Sequence, residues 1–164
     1  MRTLLVMRHA KSSWANAHDA DHDRPLNERG RRDAPRMGRW LAGHDLVPDA
    51  IVCSSATRAH ETALAVAAEM MTDEPIVRAA LYGGDAETYV AALRGLGDEV
   101  ATALIVGHNP TVSLLVGDLT DVDEAMPTAA IAWIELPIDR WAGLGDDVDA
   151  ALKAVWRPRE IEGG

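Results

Sequence analysis

Short apolar runs punctuate this chain. Leu4-Leu5-Val6-Met7, Ala50-Ile51-Val52-Cys53 and Ala103-Leu104-Ile105-Val106 are apolar throughout. Runs of this length with no polar alternation predict strands covered on both faces. Ile131 to Leu136 and Ala151 to Trp156 predict two more, and Ile76 to Leu81 a weaker one. Between them the spacing turns helical. Asn27 to Ala42 carries Met37, Trp40 and Leu41, with arginines filling the other face, and Pro35 inside it predicts a limit or a kink. Thr57 to Met71 is rich in Ala, Leu and Glu, with Ser54, Ser55 or Thr57 available as its cap. Ala86 to Leu96 is amphipathic, and Gly97 offers a stop. Pro110 to Leu119 opens on a proline, which the first turn of a helix accepts.

This alternation predicts an α/β fold, a three-layer α/β/α sandwich around a mostly parallel sheet, with residues 1–164 forming one domain. The polar, glycine-containing stretch from Asp139 to Asp149 reads as a loop or hairpin connection within it.

Composition narrows the picture. Hydrophobic residues at 48% of 164 allow a core of ordinary size. The net charge of -10 argues against nucleic acid and against anionic membranes as partners, since both call for a basic face. A phosphorylated ligand therefore needs a local basic pocket. The single cysteine, Cys53, excludes an internal disulfide, and the first apolar run is too short for a signal or membrane segment. A cytoplasmic protein is expected.

In open α/β sheets ligands bind beyond the carboxyl ends of the strands. After the first apolar run comes Arg8-His9-Ala10-Lys11-Ser12; after the second, Ser54-Ser55-Ala56-Thr57-Arg58; after the third, Gly107-His108-Asn109-Pro110. Three strand ends thus present Arg-His, Arg and His. Phosphoryl transfer suits such a set. Fixed guanidinium groups stabilise charge on the oxygens, and a neutral imidazole accepts the phosphoryl group. Neighbouring arginines should hold that imidazole neutral.

These residues resemble the histidine phosphatase superfamily, the phosphoglycerate-mutase-like fold. Arg8-His9 is similar to its first motif, Ser54 to Ala63 to its second, and Gly107-His108-Asn109-Pro110 to its second histidine motif. Asp23-Arg24-Pro25-Leu26 with Arg29-Gly30 is similar to the segment before its first helix, so the match spans about residues 3 to 136. The resemblance implies that His9 accepts the phosphoryl group and that Arg8, Arg58 and His108 bind its oxygens. It implies a further phosphate contact from Arg24, and it matches Ser12 to a small hydroxyl residue after the first motif. No metal or other cofactor is implied. The usual glycine after Arg-His is Ala10, and the usual asparagine is absent at Ala15, with Asn16 adjacent. Leu81-Tyr82-Gly83-Gly84-Asp85 lacks the glutamate that serves larger members as proton donor.

A short chain without a lid insertion or that glutamate resembles the compact phosphohistidine-phosphatase branch typified by SixA. A phosphorylated imidazole is a good leaving group and needs little help from a general acid. The substrate is then a phosphorylated protein; the alternative is a small phosphorylated metabolite, and a non-catalytic phosphate-binding module is a third reading. A bisphosphate-retaining mutase calls for a more enclosed site.

Four other features have plainer readings. Arg24 could pair with Asp21 or Asp23. Cys53 is not a phosphatase thiolate, because such loops place arginine six positions on, where Ala59 stands. His18-Asp19-Ala20-Asp21-His22-Asp23 has metal-ligand residue types but reads as a solvated loop, one that could also select substrate or donate a proton. Arg29, Arg31, Arg32, Arg36 and Arg39 form a basic stripe, read as a solvated face paired with surface acids or as a dock for an acidic partner. Trp14 is placed to wall the pocket mouth.

Overall fold

Leu4, Leu5, Val6 and Met7 have no solvent exposure, so the strand that holds them, β1 (Arg2–Arg8), is covered on both faces. The computed structural model describes residues 1–161. The other strands are β2 (Ala50–Ser54), β3 (Ile76–Arg78), β4 (Thr102–Gly107), β5 (Ile131–Leu136) and β6 (Ala151–Trp156). All six form one sheet in the order β3-β2-β4-β1-β5-β6. β1, β2, β3 and β4 pair in parallel, while β5 is antiparallel to both β1 and β6. Only β5 therefore runs against the rest, and the expected mostly parallel sheet is what forms.

The helices are α1 (Glu28–Gly43), α2 (Thr57–Met70), α3 (Ala86–Arg94) and α4 (Thr111–Thr120). Because strand side chains alternate between faces, the buried runs split in two. Leu5, Met7, Ile51, Cys53, Leu104 and Val106 pack with Ala34, Met37 and Leu41 of α1 and with Ala63 and Val66 of α2. Leu4, Val6, Val52 and Ile105 pack with Tyr89 and Leu93 of α3 and with Val112 and Leu115 of α4. The result is the expected three layers. Each fully buried Leu or Val stabilises the fold by about 1.5–3 kcal/mol.

Four local expectations need correction. Ile76 to Leu81 is a strand only to Arg78, and Ala79–Leu81 forms a 3₁₀ turn; Val77 to Ala80 are exposed, so only Leu81 has a core position to hold. α1 does not end at Pro35 but runs on through it, because its face Ala34, Met37, Gly38 and Leu41 is buried, which outweighs the one backbone hydrogen bond the ring removes. α2 has Ala56 as its N-cap with no side-chain bond, since the Ser54 and Ser55 hydroxyls are engaged by His108 and His22. α3 is capped by Gly95, before Gly97. Asp139 to Asp149 connects β5 to β6 and carries the buried Trp141 in a 3₁₀ turn. Among the described residues no helix is long and apolar enough to cross a membrane.

The topology also locates a crevice. β1 and β4 are neighbours, but α1 leads from β1 to β2 on one side while α4 leads from β4 to β5 on the other. Where connections diverge in this way, the carboxyl ends of the strands are left open to a ligand.

Candidate active site

Arg8 ends β1 and His9 follows it. The His9 N–H donates to the Gly107 carbonyl at 2.9 Å, which keeps the end of β1 in register with the end of β4. The Ala10 N–H donates to Thr62 Oγ1 at 3.0 Å, and the Thr62 hydroxyl donates to the Arg58 carbonyl at 2.7 Å. The loop after β1 is thereby tied to the first turn of α2. Gly30 lets α1 lie directly on that loop, because a Cβ there would run into the Lys11 carbonyl. At the end of β4, a Cβ on Gly107 would collide with the Tyr89 hydroxyl. That hydroxyl accepts from the His108 N–H at 3.0 Å and fixes the backbone of His108.

The two imidazoles meet with ring centroids 5.1 Å apart. His9 Nδ1 lies 2.8 Å from the Ala10 carbonyl. A carbonyl only accepts, so Nδ1 carries the hydrogen and Nε2 keeps its lone pair. Burial, opposed only by that bond and reinforced by His108, Arg58 and Arg8, pushes the His9 pKa down to about 3. His108 is pushed down to about 4, again by burial first and then by Arg58. Both rings are neutral at pH 7. Desolvation is the main cause, and the arginines expected from sequence to do this contribute less. His108 Nε2 is 2.8 Å from Ser54 Oγ, which orients its ring.

Arg8 and Arg58 act on the imidazoles directly, and Arg24 joins them through Asp21. Arg8 donates to the Met126 carbonyl at 3.3 Å. Arg58 donates to the Asp21 carbonyl at 2.7 Å and to Asp21 Oδ2 at 3.0 Å. Arg24 donates to Asp21 Oδ1 at 3.1 and 3.2 Å and to Ser12 Oγ at 2.8 Å, and lies 3.5 Å over the Trp14 ring. The Tyr82 hydroxyl donates to Asp21 Oδ2 at 2.7 Å. These bonds, Tyr82 first and then Arg58 and Arg24, hold the Asp21 carboxyl down to about 2. Asp21 is therefore a fixed anion, which argues against proton donation from it.

Arg8, Arg24 and Arg58 against Asp21 leave two positive charges, matching a phosphoryl dianion. Buried polar atoms without a partner are rare and call for an explanation. Seven are found among the described residues, and three of them are Arg8 Nε, Arg58 Nε and His108 Nδ1. Their concentration around one crevice points to a polar ligand.

Arg8, His9, Arg58 and His108, predicted from three strand ends, are thus brought together, with Arg24 and Ser12 beside them. Arg24 both pairs with Asp21 and joins this cluster, so the two readings of it coincide. Tyr82 is the neighbour of the site that sequence reasoning missed; the pairing of Asp21 with Arg24 was expected, but its bonds to Arg58 and Tyr82 were not.

A sequence profile described as the histidine phosphatase superfamily (branch 1) matches residues 4–83. Uncharacterized protein Rv1276c of Mycobacterium tuberculosis is 38% identical over 161 residues, spanning 91% of this chain and 96% of its own length. The putative phosphohistidine phosphatase SixA from Nakamurella multipartitia superposes with a TM-score of 0.82 at 30% identity over 96% of both chains. The chain belongs to the histidine phosphatase superfamily. A structure of the protein histidine phosphatase SixA complexed with tungstate is also similar, with a TM-score of 0.81 at 26% identity over 96% of this chain and 97% of that one.

Departures from the superfamily pattern now have structural counterparts. Ala10 is fully buried and its methyl is accommodated. Asn16 lies in an exposed loop, bonded to Asp19 and His18. Asp85 caps α3 through Thr88, and Tyr82 faces His108 with ring centroids 5.7 Å apart. The His18 to Asp23 segment does not gather ligands. His22 bonds Ser55, Asp21 bonds arginines, and no group of three His, Cys, Asp or Glu fit to hold a metal occurs among the described residues. Cys53 lies in the core, where burial raises its thiol to about 11, so it is no thiolate nucleophile.

Proposed function

We propose that the protein is a cytoplasmic, metal-independent phosphatase that removes the phosphoryl group from phosphohistidine in a protein, with His9 as the nucleophile. The observation that carries this reading is the His9 ring itself. Its Nδ1 is pinned by the Ala10 carbonyl, its Nε2 is unprotonated, and unused donors of Arg8, Arg58 and His108 stand around it. In the first step His9 Nε2 bonds to phosphorus as the P–N bond of the substrate breaks. The leaving imidazole departs neutral when its other ring nitrogen already holds a hydrogen, so no strong general acid is required. Arg8, Arg58 and His108 bear the charge of the oxygens, with Arg24 beside them and Ser12 orienting Arg24. Water then attacks phospho-His9, releases inorganic phosphate and restores the imidazole. The likeness to SixA structures, one of them in complex with the oxyanion tungstate, supports the substrate class.

The test is phosphate release from a phosphohistidine carrier protein and, in parallel, from a panel of phosphate esters, with and without EDTA. Turnover of the carrier alone, unaffected by EDTA and abolished in His9→Ala, is expected. Ester turnover without carrier turnover gives the substrate to small metabolites. Full activity in His9→Ala overturns the mechanism, and loss in EDTA overturns metal independence.

A further inference from the structure

Six of the sixteen Lys and Arg residues line two adjoining cavities in a chain whose net charge is -10. The larger cavity, about 550 Å³, runs from Arg8 past Asn109, Met126 and Thr128 to Arg29, Arg157 and Arg159. The smaller continues over Arg29, Arg32, Asp33, Arg36 and Arg159. Arg8 is therefore a shared wall, with the imidazole pair on one side and this trough on the other.

The trough has a rigid frame. Arg36 donates to the Pro158 and Ile161 carbonyls, each at 2.9 Å, and clamps the segment after β6 onto α1. Arg157 donates to the Ala125 carbonyl and pairs with Glu124 and Glu160 at 2.8 and 3.2 Å. Arg29, Arg32 and Arg159 are not committed in this way. Among the described residues no hydrogen bond engages their guanidinium groups, and Arg29 and Arg32 stand 3.5 Å from the buried carboxylate of Asp33. Three carboxylates, Asp33, Glu124 and Glu160, thus face Arg29, Arg32, Arg36, Arg157 and Arg159 together with Arg8, and positive charge is in excess.

The extent of the surface decides its ligand. Arg29 to Arg36 alone spans about 10 Å of helix, and Arg8 lies beyond Arg29. A single small anion covers one end of such a run; an acidic stretch of polypeptide covers all of it. We infer that this trough is a docking site for acidic residues flanking the phosphohistidine of a protein substrate, an inference that rests on the phosphatase reading above. The phosphoryl group enters at Arg8 and His9 while neighbouring carboxylates of the same substrate lie along Arg29, Arg159 and Arg32.

The test compares two phosphohistidine peptides of equal length, one flanked by Asp and Glu and one by Ser and Gln. The wild-type protein should show a kcat/KM about five- to tenfold higher for the acidic peptide at about 0.05 M salt, a preference largely lost at about 0.5 M. The double variant Arg29→Gln/Arg159→Gln should remove the preference and leave the neutral peptide unchanged. Equal turnover of both peptides by the wild type, or a preference that survives in the double variant, overturns the inference and leaves the phosphatase reading intact. A double variant that loses turnover of fructose 1,6-bisphosphate but keeps the peptide preference also overturns it, making the trough a metabolite subsite. If neither peptide releases phosphate while esters do, the phosphohistidine reading fails and the inference with it.

Discussion

The arginines bonded to Asp21 and the uncommitted arginines of the trough differ in burial and in how they are held. Arg58 and Arg24 are nearly buried and bonded to Asp21 at fixed distances. Arg32 and Arg159 are exposed, and Arg32 meets its carboxylate at 3.5 Å without a hydrogen bond. A guanidinium held in one geometry can follow charge as it develops on a transferring group. A mobile, hydrated one supplies attraction alone, which salt screens. Arginine count is therefore a poor guide to chemistry, and burial with a fixed partner is a better one.

Several measurements sharpen or break this contrast. The largest effect is expected at the ring the buried set surrounds: His9→Ala should lower phosphatase turnover by about a thousandfold or more. Arg58→Ala should cost roughly 10²–10³ in kcat, and Arg58→Lys should recover little of it because an ammonium cannot reproduce the two-pronged geometry. Salt should leave the Arg58 effect unchanged; if 0.5 M salt masks it, the contrast fails.

Acid comes next. With His9 lowered to about 3 and His108 to about 4, kcat/KM should stay level from pH 7 to about pH 5 and fall as pH drops through those values. Stability should move in the same direction. An unfolded histidine titrates near 6.5, so between about 6.5 and 3 the unfolded chain binds more protons and the native state weakens as pH falls. Denaturant melts at pH 7 and pH 4.5 check the sign.

Asp21→Asn removes the anion that partly neutralises the buried set, and inhibition by inorganic phosphate should tighten several-fold. The smallest effect belongs to the exposed set. Arg159→Gln alone should change kcat/KM about two- to threefold, with acidic substrates only, and should not alter phosphate inhibition.

How much of this was legible in the sequence follows from where the information lies. Apolar runs located the buried strands and helical periodicity the four α-helices, because burial on a sheet face imposes a pattern on consecutive residues; the short, exposed β3 and the 3₁₀ turns carry no such pattern. Arg8, Arg58 and His108 were legible because each sits within a few residues of a strand end. Asp21 was legible only as a partner of Arg24, and Tyr82 was not legible at all. Asp21 meets Arg58 across 37 positions and Tyr82 across 61, from loops whose composition carries no periodicity. The trough was half legible. The stripe on α1 was visible, but Arg31 turns to the Leu26 carbonyl and Arg39 to Glu69, while Arg157 and Arg159 join from the far end of the chain. No local pattern anticipates that exchange of members.

The stacking of Arg24 on Trp14 has a practical consequence. The chain has five tryptophans. Trp141 is fully enclosed, and Trp40, Trp133 and Trp156 cluster together with His44. Trp14 is 72% exposed and covered on one face by a cation that also bonds Ser12 and Asp21. An oxyanion that draws Arg24 inward strips that cation from one indole and leaves the other four in place. A change in Trp14 emission on adding inorganic phosphate is the expected sign of that movement, readable without a chromogenic substrate.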